Sequence, residues 1–312
     1  MDKPFRILSI DGGGIRGVYP AHILHCIEER LGINLYDSFD MIAGTSTGAI
    51  IAAGIAARVD AADIVDMYRE HGAEIFHKKT FLWPKWVWKN KIQPMVDSLY
   101  CSEYLGSILT DVFAEKRLGE IQKPLLLPST DIGNGCVHVL KSGYSSEFTR
   151  DSDVLLKDAI LASCSAPTYF DPHRIDHYLL ADGGLWANNP ALAAVTDAKK
   201  RLGVKLSNIQ VLTIGTGHSK TMYGTENSRK WGLINGWRNK EFISFILSLQ
   251  SQSAMNYLSL QLNPDQIMRI DFESDLPLSL DDVSKLDDLI TKADHDFTHE
   301  SERIKKFLAI KQ

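Results

Sequence analysis

The chain has 312 residues, of which 44% are hydrophobic and 23% are charged, so it can bury a substantial core. Its formal net charge of −5 at pH 7 excludes an overall electrostatic attraction to nucleic acid polymers. The four cysteines contain no CxxC pair, so the sequence indicates neither a zinc ribbon nor a disulfide framework. We expect Cys26, Cys101, Cys136 and Cys164 to be buried and reduced.

The most apolar run, Ala49–Ala57, is well short of the roughly 20 residues that a membrane-spanning helix requires. No charged segment followed by an apolar stretch precedes Arg6, so the sequence predicts no signal peptide. From these two observations we expect a cytoplasmic location.

Apolar runs and amphipathic segments alternate along the first two thirds of the chain. The predicted strands are Arg6–Ile10, Phe39–Ala43, Pro124–Asp131, Val137–Lys141, Tyr178–Ala181 and Gln210–Ile214. The predicted helices are one carrying Ile23, Leu24, Ile27 and Leu31, then Ala49–Ala57, Ala61–Ala73, Ser102–Ala114, Asp153–Cys164 and Pro190–Leu202. This alternation favours an α/β fold, with a mostly parallel sheet covered by helices on both faces.

After about Gly217 the pattern changes to helices at Phe242–Leu262 and Asp281–Ile310, with one strand near Met268–Phe272. We expect a single domain over residues 1–312. Its α/β body spans about 5–217, and its C-terminal part, about 218–312, is mainly helical.

The first motif, Asp11 to Gly17, reads DGGGIRG and connects a predicted strand to a helix. Successive glycines allow backbone N–H groups to converge on one point, and a helix N-terminus adds partial positive charge. Such a loop can hold a phosphate or a transient oxyanion. Gly12, Gly14 and Gly17 also satisfy the dinucleotide pattern GxGxxG, but no acid stands at the end of the second strand to bind a ribose.

The second motif, Gly44 to Gly48, reads GTSTG at another strand-to-helix junction. This is the context of a nucleophile elbow, in which a tight turn lifts the hydroxyl of Ser46 out of the sheet. A lone serine at such a junction has an alternative role as a helix cap.

The third motif, Asp182-Gly183-Gly184, follows an apolar strand and places a carboxylate at the strand end. An aspartate there suits a fixed acid or base that faces a cleft, although a lone one is also a common turn residue.

The three motifs in this order resemble the patatin-like phospholipases, and the stretch Ala162–Phe170 is similar to that family's segment before the third motif. The resemblance covers about residues 5–217. It implies a three-layer α/β fold and acyl-ester hydrolysis of membrane glycerophospholipids through an acyl-enzyme, without a metal or another cofactor. The implied catalytic pair is Ser46 as nucleophile and Asp182 as general base. The other implied site residues are the oxyanion-hole glycines Gly12, Gly13 and Gly14 with Arg16 nearby, and the turn glycines Gly44, Gly48, Gly183 and Gly184.

A Ser-His-Asp triad is the competing catalytic interpretation, and His218 is its candidate because it follows Asp182 in the chain. The dyad pattern favours a simple loop histidine at that position. The ten histidines show no HExxH or HxH spacing, so no metal site is indicated.

Two segments combine aromatic rings with cations. Phe76–Pro94 contains Trp83, Trp86 and Trp88 among lysines, a composition that suits the headgroup layer of an anionic membrane or a packed insertion. Lys220–Lys240 has a similar mixture, which suits either a nucleotide-like anion or a solvated loop.

The short chain also resembles the bacterial patatin-like effectors of anti-phage defence, which implies activation by a cyclic oligonucleotide. We therefore expect membrane phospholipids as substrate, a cyclic oligonucleotide activator, and peripheral association with the inner membrane in the active state; the oligomeric state is left open. The alternatives are a nucleotide-binding module with an inert Ser46 and a soluble carboxylesterase.

Overall fold

The structure is a computed structural model that describes residues 3–79, 97–219 and 240–309. Within these ranges the helices are α1 (Val18–Leu31), α2 (Leu35–Ser38), α3 (Thr47–Ala56), α4 (Ala61–Ile75), α5 (Ser102–Phe113), α6 (Leu156–Cys164), α7 (Gly184–Ala187), α8 (Ala191–Arg201), α9 (Lys240–Ser259) and α10 (Leu286–Phe307). The strands are β1 (Phe5–Ile10), β2 (Met41–Gly44), β3 (Leu125–Asp131), β4 (Cys136–Lys141), β5 (His173–Ile175), β6 (Tyr178–Asp182), β7 (Ile209–Ile214), β8 (His218–Ser219), β9 (Ile267–Ile270) and β10 (Glu273–Ser274).

Eight strands form one sheet in the order β5-β6-β3-β2-β1-β7-β9, with β4 paired to β3. The pairs β1–β2, β1–β7, β2–β3 and β7–β9 are parallel, whereas β4, β5 and β6 pair in antiparallel fashion. The predicted α/β class with a mostly parallel sheet is confirmed. The short hairpin strand β5 and the separate parallel pair of β8 and β10 were not predicted, because they lack an apolar run of their own.

Alternate side chains of the central strands pack into two hydrophobic layers, one on each face of the sheet. On β1, Leu8 and Ile10 join the layer beneath α1, α3, α4 and α6, while Ile7 joins the layer beneath α8 and α9. Burial on both faces explains why these strands read as continuous apolar runs rather than as alternating ones.

The C-terminal residues contribute to the same body. β9 extends the sheet beside β7, and α10 packs along α1. Arg30 on α1 contacts Asp294 on α10 at 2.6 Å, and the Tyr19 hydroxyl donates to Asp296 at 2.8 Å.

Only two cysteines are buried, Cys26 and Cys164, and all four are free thiols. The expectation that all four are buried was wrong for Cys101 and Cys136. Cys101 immediately precedes α5, and Cys136 is the first residue of β4, so both lie at exposed element ends.

Candidate active site

The DGGGIRG motif forms the connection between β1 and α1. Gly14 adopts φ +59°, a left-handed conformation, and a Cβ there would overlap the carbonyl oxygen of Leu280. That carbonyl accepts a hydrogen bond from the Ile15 amide at 2.9 Å. The glycine at position 14 therefore permits both the turn and its close approach to the C-terminal part of the chain.

The GTSTG motif forms the sharp turn between β2 and α3. Ser46 has φ 55° and ψ −126°, a strained conformation for a residue with a side chain, with a typical cost of about 1–3 kcal/mol. Its side chain makes no capping hydrogen bond to α3, which removes the alternative role as a helix cap. A Cβ at Gly44 or Gly48 would overlap backbone carbonyl groups, so these glycines permit the turn.

A buried serine outside the three motifs supports the elbow. The Ser46 amide donates to Ser163 Oγ at 3.0 Å, and Ser163 Oγ donates to the Pro128 carbonyl at 2.6 Å. Ser163 thus connects the strained turn to β3. Ser163 lies within the Ala162–Phe170 stretch, and its sequence context alone predicts no role for it.

The sheet register explains how Asp182 reaches Ser46. β3 pairs with β2 at Leu125 and Leu126 and with β6 between Ser129 and Asp131, while β4 occupies its opposite edge. β2 therefore pairs only with the first residues of β3, and β6 pairs with the last residues of β3 on the same side. Because β6 is antiparallel to β3, it runs towards the carboxyl end of β2. The carboxyl ends of β2 and β6 meet, and Ser46 and Asp182 line one cavity, which we call the Ser46 cavity.

The carboxyl group of Asp182 is 5% exposed and accepts a hydrogen bond from the Gly184 amide at 2.6 Å. Burial raises its pKa to about 6, and hydrogen bonds from the Ser46 side chain and the Gly184 amide oppose that rise. A carboxyl group with this pKa is ionised at neutral pH, and it is a stronger base than an exposed aspartate.

The rest of the Ser46 cavity is mostly apolar. Its walls come from α3, α4, α5, α9 and the segment after α6, with side chains that include Ile50, Tyr68, Ile75, Leu105, Tyr169, Phe170, Ile243 and Leu247. These apolar walls fit a hydrocarbon chain better than a sugar or a phosphate.

The backbone amides of the glycine loop differ in what they contact. The Gly12 amide donates to the Asn188 carbonyl at 3.0 Å. Gly13 and Gly14 line the Ser46 cavity, and no acceptor for their N–H groups is found among the described residues. Two donors therefore remain available to an oxygen atom in the cavity, rather than the three that the sequence suggested.

Arg16 and His218 do not line the Ser46 cavity. Both lie in a second cavity, the Arg16 cavity, which also contains Asp11, Arg269 and Asp271. His218 has Asp271 and Glu273 as ion-pair partners, each at 3.8 Å, so the geometry does not support a triad through His218.

Two further residues hold the glycine loop from outside the predicted motifs. Thr216 Oγ1 donates to the Gly12 carbonyl at 2.9 Å. Arg269, just before the end of β9, makes a two-point contact with Asp11 at 2.7 and 2.8 Å. Its neighbour Asp271 accepts a third hydrogen bond from it at 2.7 Å. The signal for Arg269 is its place near the carboxyl end of a strand parallel to β1, the edge where polar side chains of α/β sheets meet.

Among the described residues, the one group with metal-ligand chemistry lies between α1 and α10. His22, Cys26 and Asp294 place their ligand atoms within 4.8 Å of one another. Arg30 already donates to Asp294, and a cation there disfavours a second one. None of these residues lines the Ser46 cavity.

The predicted membrane contacts Trp83, Trp86 and Trp88 and the segment 220–239 lie outside the described residues. In the described part of the chain, no helix combines the length and the apolar character needed to cross a bilayer.

The sequence model of the family described as patatin-like phospholipase matches residues 8–195. A cGAMP-activated phospholipase of Vibrio cholerae is 32% identical over 251 residues, covering 74% of this chain and 70% of that protein. A protein of the same name from Pseudomonas aeruginosa is 29% identical, and the alignment covers 91% of this chain and 82% of that protein. Patatin-like protein 1 of Arabidopsis thaliana is 29% identical and covers 81% and 68%.

Among solved structures, VipD from Legionella pneumophila is similar with a TM-score of 0.44 and 12% identity, covering 93% of this chain and 67% of that one. The family match spans more than half of the chain and contains all three motifs. The chain belongs to the patatin-like phospholipase family, whose members hydrolyse lipid esters.

Proposed function

We propose that the protein is a phospholipase of the A type, which hydrolyses acyl esters of membrane glycerophospholipids with Ser46 as nucleophile and Asp182 as general base. One observation carries the proposal: a strained, uncapped serine shares an apolar cavity with a buried carboxyl group whose pKa the serine side chain helps to lower. A serine hydroxyl becomes an effective nucleophile only when a neighbouring base accepts its proton.

In the acylation step, Asp182 accepts the Ser46 proton while Ser46 Oγ bonds to the carbonyl carbon of the ester. The negative charge moves to the carbonyl oxygen, where the free amides of Gly13 and Gly14 would stabilise it. Collapse of this intermediate breaks the ester C–O bond, and Asp182 returns the proton to the departing lysophospholipid. The product is an acyl group on Ser46.

Deacylation repeats these steps with water. Asp182 accepts a proton from the water molecule, the resulting hydroxide bonds to the acyl carbon, and Ser46 leaves with the proton from Asp182. The fatty acid is released and the free enzyme is restored. The proposed reaction uses side chains and backbone amides of this chain alone, with neither a metal ion nor another cofactor.

The apolar walls of the Ser46 cavity support a long acyl chain as the group that enters. A lipid substrate must be met at a bilayer, so we include peripheral membrane association in the proposal. We also propose activation by a cyclic oligonucleotide, since two relatives that align over 74% and 91% of the chain are named cGAMP-activated phospholipases.

A fluorophosphonate probe, which reacts with activated serines, tests the nucleophile. We expect labelling of the wild-type protein and of the control Ser253→Ala, an exposed serine on α9, but no labelling of Ser46→Ala. Labelling that persists in Ser46→Ala would reject the dyad.

Fatty acid release from phospholipid vesicles, with and without cGAMP, tests the substrate and the activator. We expect release that increases with cGAMP and disappears in Ser46→Ala. Hydrolysis of p-nitrophenyl butyrate with no release from vesicles would instead identify a soluble carboxylesterase. Release that is independent of cGAMP would reject the activator and leave the hydrolase.

A further inference from the structure

The Arg16 cavity has a volume of about 210 Å³ and adjoins the Ser46 cavity, with which it shares Asn188 and Leu247. The glycine loop lies between the two, because Gly13 and Gly14 line one and Asp11 and Arg16 line the other. The Arg16 cavity differs from the mostly apolar Ser46 cavity, because polar side chains make up much of its wall.

Arg16 is a buried cation, and no acid among residues 3–79, 97–219 and 240–309 is in direct contact with it. Its side chain is 5% exposed, and its one hydrogen-bond acceptor among the described residues is the Gly13 carbonyl, at 3.1 Å from Nε. Burial lowers the pKa of Arg16 to about 10, which still leaves the guanidinium charged at neutral pH. Buried charges are costly unless an opposite charge lies nearby. Asp271 and Asp11 favour the charge of Arg16 without contacting it, and an anion in the cavity would pair with it directly.

The acids that face the cavity are already paired with another cation. Asp11 and Asp271 both contact Arg269 at 2.7 to 2.8 Å, and Asp271 also accepts from the Gly217 amide at 3.0 Å. The interaction with Asp271 raises the pKa of His218, which favours the positively charged form of the imidazole on the same wall. Among the described residues that line the cavity, Arg16 is therefore the cation with no acid in direct contact.

The opposite wall is a polar stripe of α9. Ser244, Ser248, Gln252 and Asn256 follow one another at four-residue spacing, which places them on one face of the helix. Hydroxyl and amide groups of this kind are suitable partners for phosphate oxygens, ribose hydroxyls or glycerol hydroxyls.

We propose that the Arg16 cavity binds a phosphodiester group, with Arg16 as its counter-ion and the polar stripe of α9 as its hydrogen-bonding wall. Two sources share this chemistry: the cyclic oligonucleotide of the proposed function and the headgroup of the phospholipid substrate. The identity of the ligand rests on the proposed function, whereas the cavity and its unpaired cation do not.

A ligand in this cavity has a direct physical connection to the catalytic loop. Arg16 donates a hydrogen bond to the Gly13 carbonyl. Ser251 on α9 donates to the Asp11 carboxyl group at 2.9 Å and accepts from the Asn188 side chain at 3.1 Å. A phosphodiester that binds more tightly when these groups are in their catalytic arrangement would raise the population of that arrangement.

The test is a carboxylate in the stripe, Ser248→Asp, which adds negative charge to the wall of the Arg16 cavity and would repel an anion there. Its matched control is Ser253→Asp, the same change on the same helix at an exposed serine that does not line the cavity. Affinity for cGAMP is measured by calorimetry in a Ser46→Ala background, so that the readout is independent of hydrolysis. Hydrolysis of dibutyroyl phosphatidylglycerol and of p-nitrophenyl butyrate is measured with Ser46 intact.

We expect Ser248→Asp to lower either the affinity for cGAMP or kcat/KM for the phospholipid by at least about tenfold, and Ser253→Asp to leave both unchanged. A loss of cGAMP affinity identifies the activator as the ligand. A fall in kcat/KM for the phospholipid but not for the p-nitrophenyl ester identifies the headgroup. In the binding readout, Arg16→Gln should lose cGAMP affinity as Ser248→Asp does, and Arg16→Lys should retain part of it.

If the folded Ser248→Asp protein matches Ser253→Asp in both readouts, the proposal is overturned, and the same holds if neither ligand is bound or hydrolysed. Binding of cGAMP that depends on Ser248 in a protein without hydrolytic activity would reject the proposed function and retain the site.

Discussion

The buried carboxyl group of Asp182 should lower the stability of the fold at the pH at which it is needed for catalysis. We predict that Asp182→Asn stabilises the folded protein at neutral pH while it strongly lowers the proposed activity. The asparagine side chain keeps the hydrogen bonds of the site, because its oxygen can accept from the Gly184 amide and its NH2 group can donate to Ser46 Oγ. The change therefore removes a buried charge without leaving an unpaired polar atom.

The magnitude follows from the pKa of Asp182. Burial raises it from 3.8 to about 6, and each pKa unit corresponds to about 1.4 kcal/mol. Between these two values the folded protein holds a proton that the unfolded chain has released, so the stability contributed by this group falls as the pH rises. The free energy of unfolding of Asp182→Asn relative to wild type should therefore increase by about 3 kcal/mol between pH 3.5 and pH 7.5.

Urea denaturation of both proteins at several pH values measures this difference directly, because the contributions of all other groups cancel between them. The control is Asp111→Asn, the same substitution at an exposed position on α5. A constant difference for Asp182→Asn over the same range, or one that decreases with pH, would refute the argument from burial. Hydrolysis should fall by about 10²–10⁴ in the variant, as expected for loss of a general base.

Three other substitutions test the supports of the site. Ser163→Ala removes the acceptor of the Ser46 amide, and we expect a loss of about 1–3 kcal/mol in urea denaturation with a lower kcat. Gly48→Ala places a Cβ against the carbonyl at the end of β1 and should cost more than about 3 kcal/mol, whereas Gly106→Ala on α5, with ordinary contact distances, should be neutral or stabilising in the same measurement. Arg269→Met leaves the carboxyl groups of Asp11 and Asp271 without their cation and should lower the free energy of unfolding by about 3–5 kcal/mol. Equal unfolding midpoints for the variant and the wild-type protein would show that these ion pairs contribute little.

The secondary structure was predictable where one physical signal dominated. The strands buried on both faces read as apolar runs, and their observed limits differ from the predicted ones by two residues or fewer. The prediction Phe39–Ala43 against the observed β2, Met41–Gly44, is typical. By contrast, β5 consists of His173, Arg174 and Ile175, which gives no apolar pattern, and it is a strand because it pairs with β6. Pairing of that kind is set by tertiary structure and leaves no local signal.

The candidate site was predictable as a set of residues and only partly as a geometry. Glycines and a serine at strand ends indicated where Gly14 and Ser46 would lie, because tight turns limit which residues fit. The sequence could not show that β6 runs antiparallel to β3 and meets the end of β2, since the direction of a strand is not written in its own residues. The contacts of Gly12 and Arg16 also depend on distant segments of the chain. The Gly12 amide donates to the carbonyl of Asn188, and Arg16, which contacts the Gly13 carbonyl, faces a cavity lined by α9.

The dependence of the glycine loop on Arg269 shows how the remote part of the chain contributes to the site. Arg269 lies beyond the 8–195 range of the family match, yet it contacts both carboxyl oxygens of Asp11, the first residue of the glycine motif. Burial raises the pKa of Asp11 and works against the charge of Asp271, whereas Arg269 and His218 hold the pKa of Asp271 below its usual range. A buried ionic network of this kind fixes one arrangement of the strand ends rather than several, because any other arrangement would leave a charge unpaired in the interior. The position of the free amides of Gly13 and Gly14 is therefore determined jointly by the loop's own glycines and by a strand that follows them by some 250 residues.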